Sequence, residues 1–166
     1  MLSFHLGGVH YFCRHYDQAI DQFQKAIELD PSFVPTHQLL ALAYARSGDF
    51  HKAAEEAEKR IAMGRGDLPA KGFLAVINGL MGNLDVTRQV LNELEECSKP
   101  PHFSHAYVCA GIHALLGEKD QALQWLDKAW QGRAGRLIYL ACDPAFVNLH
   151  GDAGFDAVLR RFGIAG

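Results

Sequence analysis

Residues 16–33 read YDQAIDQFQKAIELDPSF, and a looser version of the phrase returns at Phe50 as FHKAAEEAEKRIAMG. In the first copy Tyr16, Ala19, Ile20, Phe23, Ala26 and Ile27 fall at i, i+3, i+4, i+7, i+10 and i+11, which is one face of an α-helix. Asp30-Pro31 ends that helix, because the residue before a proline is pushed out of helical φ/ψ. The preceding stretch, SFHLGGVHYFC, carries Leu6, Val9 and Cys13 along one side, so the two stretches form a helix–turn–helix with Arg14-His15-Tyr16 at the corner. The interval is regular: Ala19, Ala53, Thr87 and Ala122 succeed one another after 34, 34 and 35 residues. Gly48, Gly82 and Gly117 keep step, and glycine suits the left-handed conformation that closes a helix. The extra residue of the last interval falls near Lys99-Pro100-Pro101. Two helices in a 34-residue period predict an all-α solenoid of about four antiparallel helix pairs.

The spelling resembles the tetratricopeptide repeat (TPR). Leu6-Gly7-x2-His10-x8-Ala19-x3-Phe23-x2-Ala26-x4-Pro31 departs from that pattern only at His10, where a tyrosine is usual. The second unit keeps Leu40-Ala41-x2-Tyr44-x8-Ala53 but has Ala57 and Arg60 further on. The third, Leu74-Ala75-x2-Asn78-x8-Thr87-x3-Leu91-x2-Leu94, is the most degenerate, and the fourth recovers as Cys109-Ala110-x2-His113-x8-Ala122-x3-Leu126-x2-Ala129. The expected units are about 1–33, 34–67, 68–101 and 102–131. The small residues Gly7, Ala41, Ala75 and Ala110, opposite Ala19, Ala53 and Ala122, let paired helices approach closely, and Phe23, Leu91 and Leu126 fill the gaps beside them.

Residues 132–166 are expected to form a helical cap. Asp143-Pro144-Ala145-Phe146 and Asp152-Ala153-Gly154-Phe155 each place an aspartate at a helix N-cap and a phenylalanine in the first turn; Val158, Leu159 and Phe162 continue the second helix until Gly163. This tail resembles those closing TPR arrays in bacterial multidomain regulators, with departures at Ala153 and His150, and implies the C-terminal part of a larger regulatory protein. The first helix has no such cover and no N-cap beyond Ser3; with Phe4, Val9 and Phe12 available, its face belongs either to a fragment of a longer protein or to a homodimer.

The TPR resemblance implies a protein–protein interaction module. In such arrays the first helix of each pair lines a concave groove for a partner segment. Projected onto this chain, the groove carries Phe4, Tyr11, Phe12, Gln38, Leu42, Arg46, Val76, Leu80, Tyr107 and Leu115, with Gly8, Ala45, Gly72, Gly79, Gly111 and Ala114 between them. The set is apolar and aromatic with one charge, which suits an apolar peptide anchored by the tyrosines and Arg46. The chain's own tail or missing repeats could fill the same groove. The carboxylate clamp of chaperone-binding TPR domains is excluded, because Phe4, Gly8, Leu39, Pro69 and Phe73 stand where lysine, asparagine and arginine would be needed. Homo-oligomerisation through the first helix and a sensor for a small apolar ligand are the alternative readings.

Other functions find little support. A net charge of −3 without a Lys/Arg run argues against nucleic acid. The apolar stretches FLAVINGLMGNL and AYVCAGIHALLG fall short of the ~20 residues of a membrane span. MLSFHLGGVHYF lacks the marks of a signal peptide, and Cys13, Cys97, Cys109 and Cys142 form no C-x-x-C pair, so a cytoplasmic setting with reduced thiols is expected. His102, His105, Cys109 and His113 make a stripe at i, i+3, i+7 and i+11, but such ligands spread over about 16 Å of one helix and cannot converge on one ion. Core packing is the expectation for Cys109 and His113, and equally for His5, His10, His15 and a buried Cys142. No G-x-S-x-G, phosphate loop or H-E-x-x-H occurs; GRGD at 64–67 has no strand before it. The expectation is a binding protein rather than an enzyme, without cofactor or metal. On the solvated second helix of the second pair, Glu55 and Lys59 form an i, i+4 pair.

Overall fold

The computed structural model describes residues 1–64, 68–98 and 105–164. The connection at Lys99-Pro100-Pro101, most of GRGD, His102 and the side chain of Pro69 lie outside the described residues. Among the described residues the chain is all helix and turn. The helices are α1 Leu2–Phe12, α2 Tyr16–Leu29, α3 Val34–Ser47, α4 Phe50–Gly64, α5 Leu68–Leu80, α6 Leu84–Cys97, α7 Ala106–Leu115, α8 Lys119–Gln131 and α9 Ala153–Arg161, with 3-10 turns at Gly135–Tyr139 and Pro144–Leu149. They fall into two compact units, Met1–Gly82 and Asn83–Gly166. The division lies inside the third repeat, the one whose spelling departs most, at Asn78 and Thr87.

In unit 1, α1 packs on α2, α2 on α3, α3 on α4 and α4 on α5. Small residues make these approaches possible. Ala19, Ala41 and Ala53 are fully buried, and a Cβ placed on Gly7 would stand 2.6 Å from two carbons of the Phe23 ring. Phe23 has no exposed surface, and burying a side chain of that size contributes about 2–3 kcal/mol. Tyr11, Leu40, Leu42, Tyr44, Phe73 and Ile77 complete this core.

In unit 2, α6 packs on α7, α7 on α8, the turn Pro144–Leu149 on α7 and α9 on α8. Both predicted N-caps form: Asp143 accepts from the Ala145 amide at 2.9 Å, and Asp152 accepts from the Gly154 amide at 2.9 Å and the Phe155 amide at 3.3 Å. Phe146 and Phe155 are fully buried. Trp130 stacks on Phe162 with ring centroids 4.3 Å apart.

The corners share one conformation. Gly48, Gly82, Gly117 and Gly151 have φ of 90°, 86°, 78° and 82°. Arg14, 34 residues before Gly48, adopts φ 62° at the corner of α1 and α2, a left-handed position that costs an L-residue about 1–2 kcal/mol. Gly151 stands 34 residues after Gly117, so α9 keeps the phase of a second helix.

Several expectations change. α1 starts at Leu2 behind Met1, so Ser3 is inside the helix and not its cap. Leu6, Val9 and Cys13, the stripe that marks α1 as helical, are exposed, whereas Gly7 and Tyr11 on the far side are buried. Phe4 and Phe12 pack against the unit 1 core instead of standing available. His5 and His15 are exposed and His10 half-buried, so none is a core histidine. Cys142 is exposed, with its thiol 3.3 Å from the Tyr139 carbonyl. Lys59 pairs with Glu56 at 2.6 Å, one turn back, because Glu56 is the carboxylate that lies against α3, while Glu55 faces His51.

Candidate partner-binding face

The ten residues projected onto the groove differ in what they can offer. In unit 1, Tyr11 is 2% exposed and Leu42 6%, so both are core residues with little surface for a partner. Phe4 meets Phe33 edge-on with centroids 5.1 Å apart, and both Phe4 and Phe12 keep a half-buried ring. On α5, Val76 and Leu80 are half-buried one turn apart.

On α3, Gln38, Leu42 and Arg46 lie at i, i+4 and i+8, on one face. Gln38 and Arg46 are half-buried, and neither has a hydrogen-bond or ion-pair partner among the described residues. The Arg46 Nε is fully buried and unpartnered. An unpaired polar atom in such a place costs free energy until an acceptor reaches it. The polar groups nearby are committed elsewhere. His37, beside Gln38 in sequence, is buried, with Nδ1 2.7 Å from Glu56 Oε2 and Nε2 2.9 Å from the Pro31 carbonyl. That clamp fixes the start of α3. Sequence reasoning missed it, since no spacing rule connects residues 37 and 56 before the helices are paired.

In unit 2 the corresponding face is occupied. The hydroxyl of Tyr107 donates to Asp143 Oδ2 at 2.8 Å, and the Phe146 ring packs edge-on against Tyr107 with centroids 5.3 Å apart. A Cβ on Gly111 would stand 3.4 Å from the Ala145 Cβ, so the 3-10 turn lies close along α7. Burial, with Asp143 alongside, holds the Tyr107 hydroxyl well above its usual range and keeps it a donor. Arg136 sits over the same ring at 5.4 Å and 3.8 Å from Asp143. A partner reaches Tyr107 only by displacing this turn, and Leu115 remains half-buried at the end of α7.

The described members of the histidine stripe are His105, Cys109 and His113. Cys109 is fully buried, which pushes its thiol up to about 12. His113 has Nδ1 2.7 Å from Glu118 Oε2 and Nε2 2.7 Å from Glu95 Oε1, and burial alone lowers His105. Among the described residues no group of three or more His, Cys, Asp or Glu is placed to hold a metal ion. Two open recesses in unit 1 lie towards α2: one of about 610 Å³ at the Arg14–Gln18 corner and one of about 330 Å³ lined by Asp17, Ile20, Gln24, Tyr44 and Lys52. Neither is lined by any of the ten groove residues. Among the described residues no helix is long and apolar enough to cross a membrane.

Against known families, the model of the TPR repeat matches residues 15–48, which span α2, α3 and the Gly48 corner. No curated protein matches the chain. That match places one TPR repeat at residues 15–48, a repeat type that serves protein–protein interaction, within a chain of helices packed in adjacent pairs.

Proposed function

We propose that this TPR-repeat protein binds a segment of a partner protein on the first-helix faces of its repeats, with the open part in unit 1. Phe4, Phe12, Val76 and Leu80 supply apolar contact, Gln38 and Arg46 the polar anchors, and the buried Tyr11 and Leu42 support them from behind. In unit 2, Tyr107 and Leu115 lie on α7, where the 3-10 turn Pro144–Leu149 packs, and they are left out of this face. The observation that carries the reading is the pair Gln38 and Arg46: two half-buried polar side chains, two turns apart on one helix face, with no partner of their own among the described residues. An extended or helical segment with a backbone carbonyl or carboxylate beside apolar side chains satisfies both. The proposed setting is the cytoplasm, as part of a larger bacterial regulatory protein that binds rather than converts.

A displayed random-peptide library panned on the wild-type chain tests this. Selected peptides should carry an apolar pair next to an acceptor and bind the Gln38→Ala/Arg46→Ala variant about 30-fold more weakly, the loss of one arginine hot spot. Peptides that bind the folded double variant as well as the wild type would move the site to another face.

A further inference from the structure

Charge in unit 1 is divided by layer. The first helices of the repeats, α1, α3 and α5, contain no Asp or Glu, whereas α2 carries Asp17, Asp21 and Glu28 and α4 carries Glu55, Glu56 and Glu58. Glu56, the α4 carboxylate that lies against α3, is held by His37 and Lys59. Arg46 is thus a half-buried cation in a layer without carboxylates, and its fully buried Nε has no partner among the described residues. The repeat phase sets it between two apolar residues. Phe12 stands 34 residues before it and Leu80 34 residues after it, at the same place on α1 and on α5. α3 packs on α1 and on α5, so the row Phe12, Arg46 and Leu80 crosses three adjacent helices with the cation in the middle. Phe12 and Leu80 are half-buried and rest on the unit 1 core.

We infer that the occupant of this face is an acidic partner segment in the polyproline II conformation. Its carboxylate meets Arg46, and apolar side chains three residues to either side meet Phe12 and Leu80. The inference rests on the partner-binding reading above and adds the chemistry of the partner. The spacing follows from helix packing, since adjacent helix axes lie about 8–10 Å apart. A polyproline II segment turns once in about three residues and rises about 3.1 Å per residue, so residues i, i+3 and i+6 share one side about 9 Å apart. A β-strand sets its same-side residues about 6.7 Å apart and falls out of step with the row. A carboxylate matches the guanidinium charge and takes two parallel N–H donors, which a backbone carbonyl does not. The acidic second helices repel the same segment and so confine it to the first-helix side. The chain's own tail is a poor source of the carboxylate. Asp143 already accepts from Tyr107 and the Ala145 amide, and Asp152 from Lys119 and the Gly154 and Phe155 amides. α3 has α1 on one side and α5 on the other, so the face around Arg46 does not arise from an end of the array.

Fluorescence anisotropy of the full chain with an end-blocked, dye-labelled peptide of core Leu-Pro-Pro-Glu-Pro-Pro-Leu, at up to about 1 mM protein, tests this. The wild type should bind it. Replacing the central Glu by Gln, or moving it by one residue, should weaken binding at least about tenfold. Arg46→Leu gives α3 the residue that α5 carries at this place, so it should keep the wild-type helical circular dichroism and bind the Glu and Gln peptides equally weakly. Arg46→Glu should prefer the same peptide with a central Lys. A Glu peptide that fails to bind, a Gln or shifted peptide that binds as tightly, or an Arg46→Leu chain that still tells Glu from Gln would each overturn the inference. So would a helical peptide, with the same three residues spaced by seven, that binds more tightly. Library-selected peptides that lose affinity on Gln38→Ala/Arg46→Ala yet carry no carboxylate would overturn it while leaving the face in place. Selected peptides indifferent to that double variant would remove the face as well.

Discussion

Replacing Gly7 by alanine sets two effects of opposite sign against each other. Gly7 lies inside α1, where alanine is favoured over glycine by about 1 kcal/mol on helix propensity alone. Against that, the new Cβ would stand 2.6 Å from Cδ1 and Cε1 of Phe23 and 3.1 Å from its Cζ. Phe23 is fully buried in the unit 1 core, so its ring has no solvent side to move into, and overpacking of this kind costs about 1–3 kcal/mol. With two ring carbons inside contact distance the clash should win, leaving Gly7→Ala about 1–2 kcal/mol less stable, a fall in melting midpoint of about 4–8 °C per kcal/mol for a unit of this size. Far-UV circular dichroism against urea reads the helix content. Fluorescence from Trp125 and Trp130, the two tryptophans, reads unit 2 separately, so the loss should appear first in the helical signal. In a Phe23→Leu background the obstruction is gone, and Gly7→Ala should become neutral or stabilising, a coupling of about 1–3 kcal/mol between the two sites. If Gly7→Ala alone is as stable as the wild type or more so, the close α1–α2 approach is not constraining and the packing account fails.

Arg14→Gly should stabilise the protein by about 0.5–1 kcal/mol in urea denaturation, because φ 62° costs arginine more than the extra unfolded-state entropy of glycine; a loss of stability would mean the Arg14 side chain is needed. Tyr107→Phe removes a donor from buried Asp143, and the tryptophan-monitored transition should lose about 1–3 kcal/mol; an unchanged midpoint would mean the tail does not rely on this contact. On acidification, Glu118 is raised by burial but lowered more by its hydrogen bonds from His113 and Arg88, and it ends below its ordinary 4.5. A lowered carboxyl gives stability that is present above the unfolded value and is lost as pH falls through the folded one, so unit 2 should weaken below about pH 4.5. Asp152, lowered by Lys119 and then by the Phe155 and Gly154 amides, acts in the same direction. Glu118→Gln should flatten that acid limb in a pH series of melts, and an equally steep limb in the variant would assign it to other groups.

The second helices were the legible part. α2, α4, α6 and α8 each present a polar and an apolar side, and their 34-residue phase locates the corners from sequence alone. The same phase could have shown that Arg14 stands at a glycine position and that Gly151 opens a fifth turn, but the arginine and the brevity of α9 hid both. α1 was harder. LSFHLGGVHYF is apolar nearly all round, so periodicity found a helix without finding its inner side, and the buried and exposed faces were exchanged. The polar network was illegible for a different reason: His37, Glu56 and Pro31 meet only after α3 and α4 pair, and residue type alone does not separate a clamp from a surface charge. The groove residues followed from the repeat register, which assigns a side of a helix and is silent on depth. Tyr11 and Leu42 therefore turn out to be core, while Gln38 and Arg46 keep surface to offer.

The central claim is that the open first-helix face of unit 1 receives a partner segment. Amide chemical-shift mapping of the isotope-labelled chain, titrated with a peptide selected on it, tests that claim most directly. The account predicts shifts concentrated on Gln38, Leu42 and Arg46 of α3, extending to Phe12 of α1 and to Val76 and Leu80 of α5. Shifts confined to the outer sides of α2 and α4, with α3 silent, would contradict it.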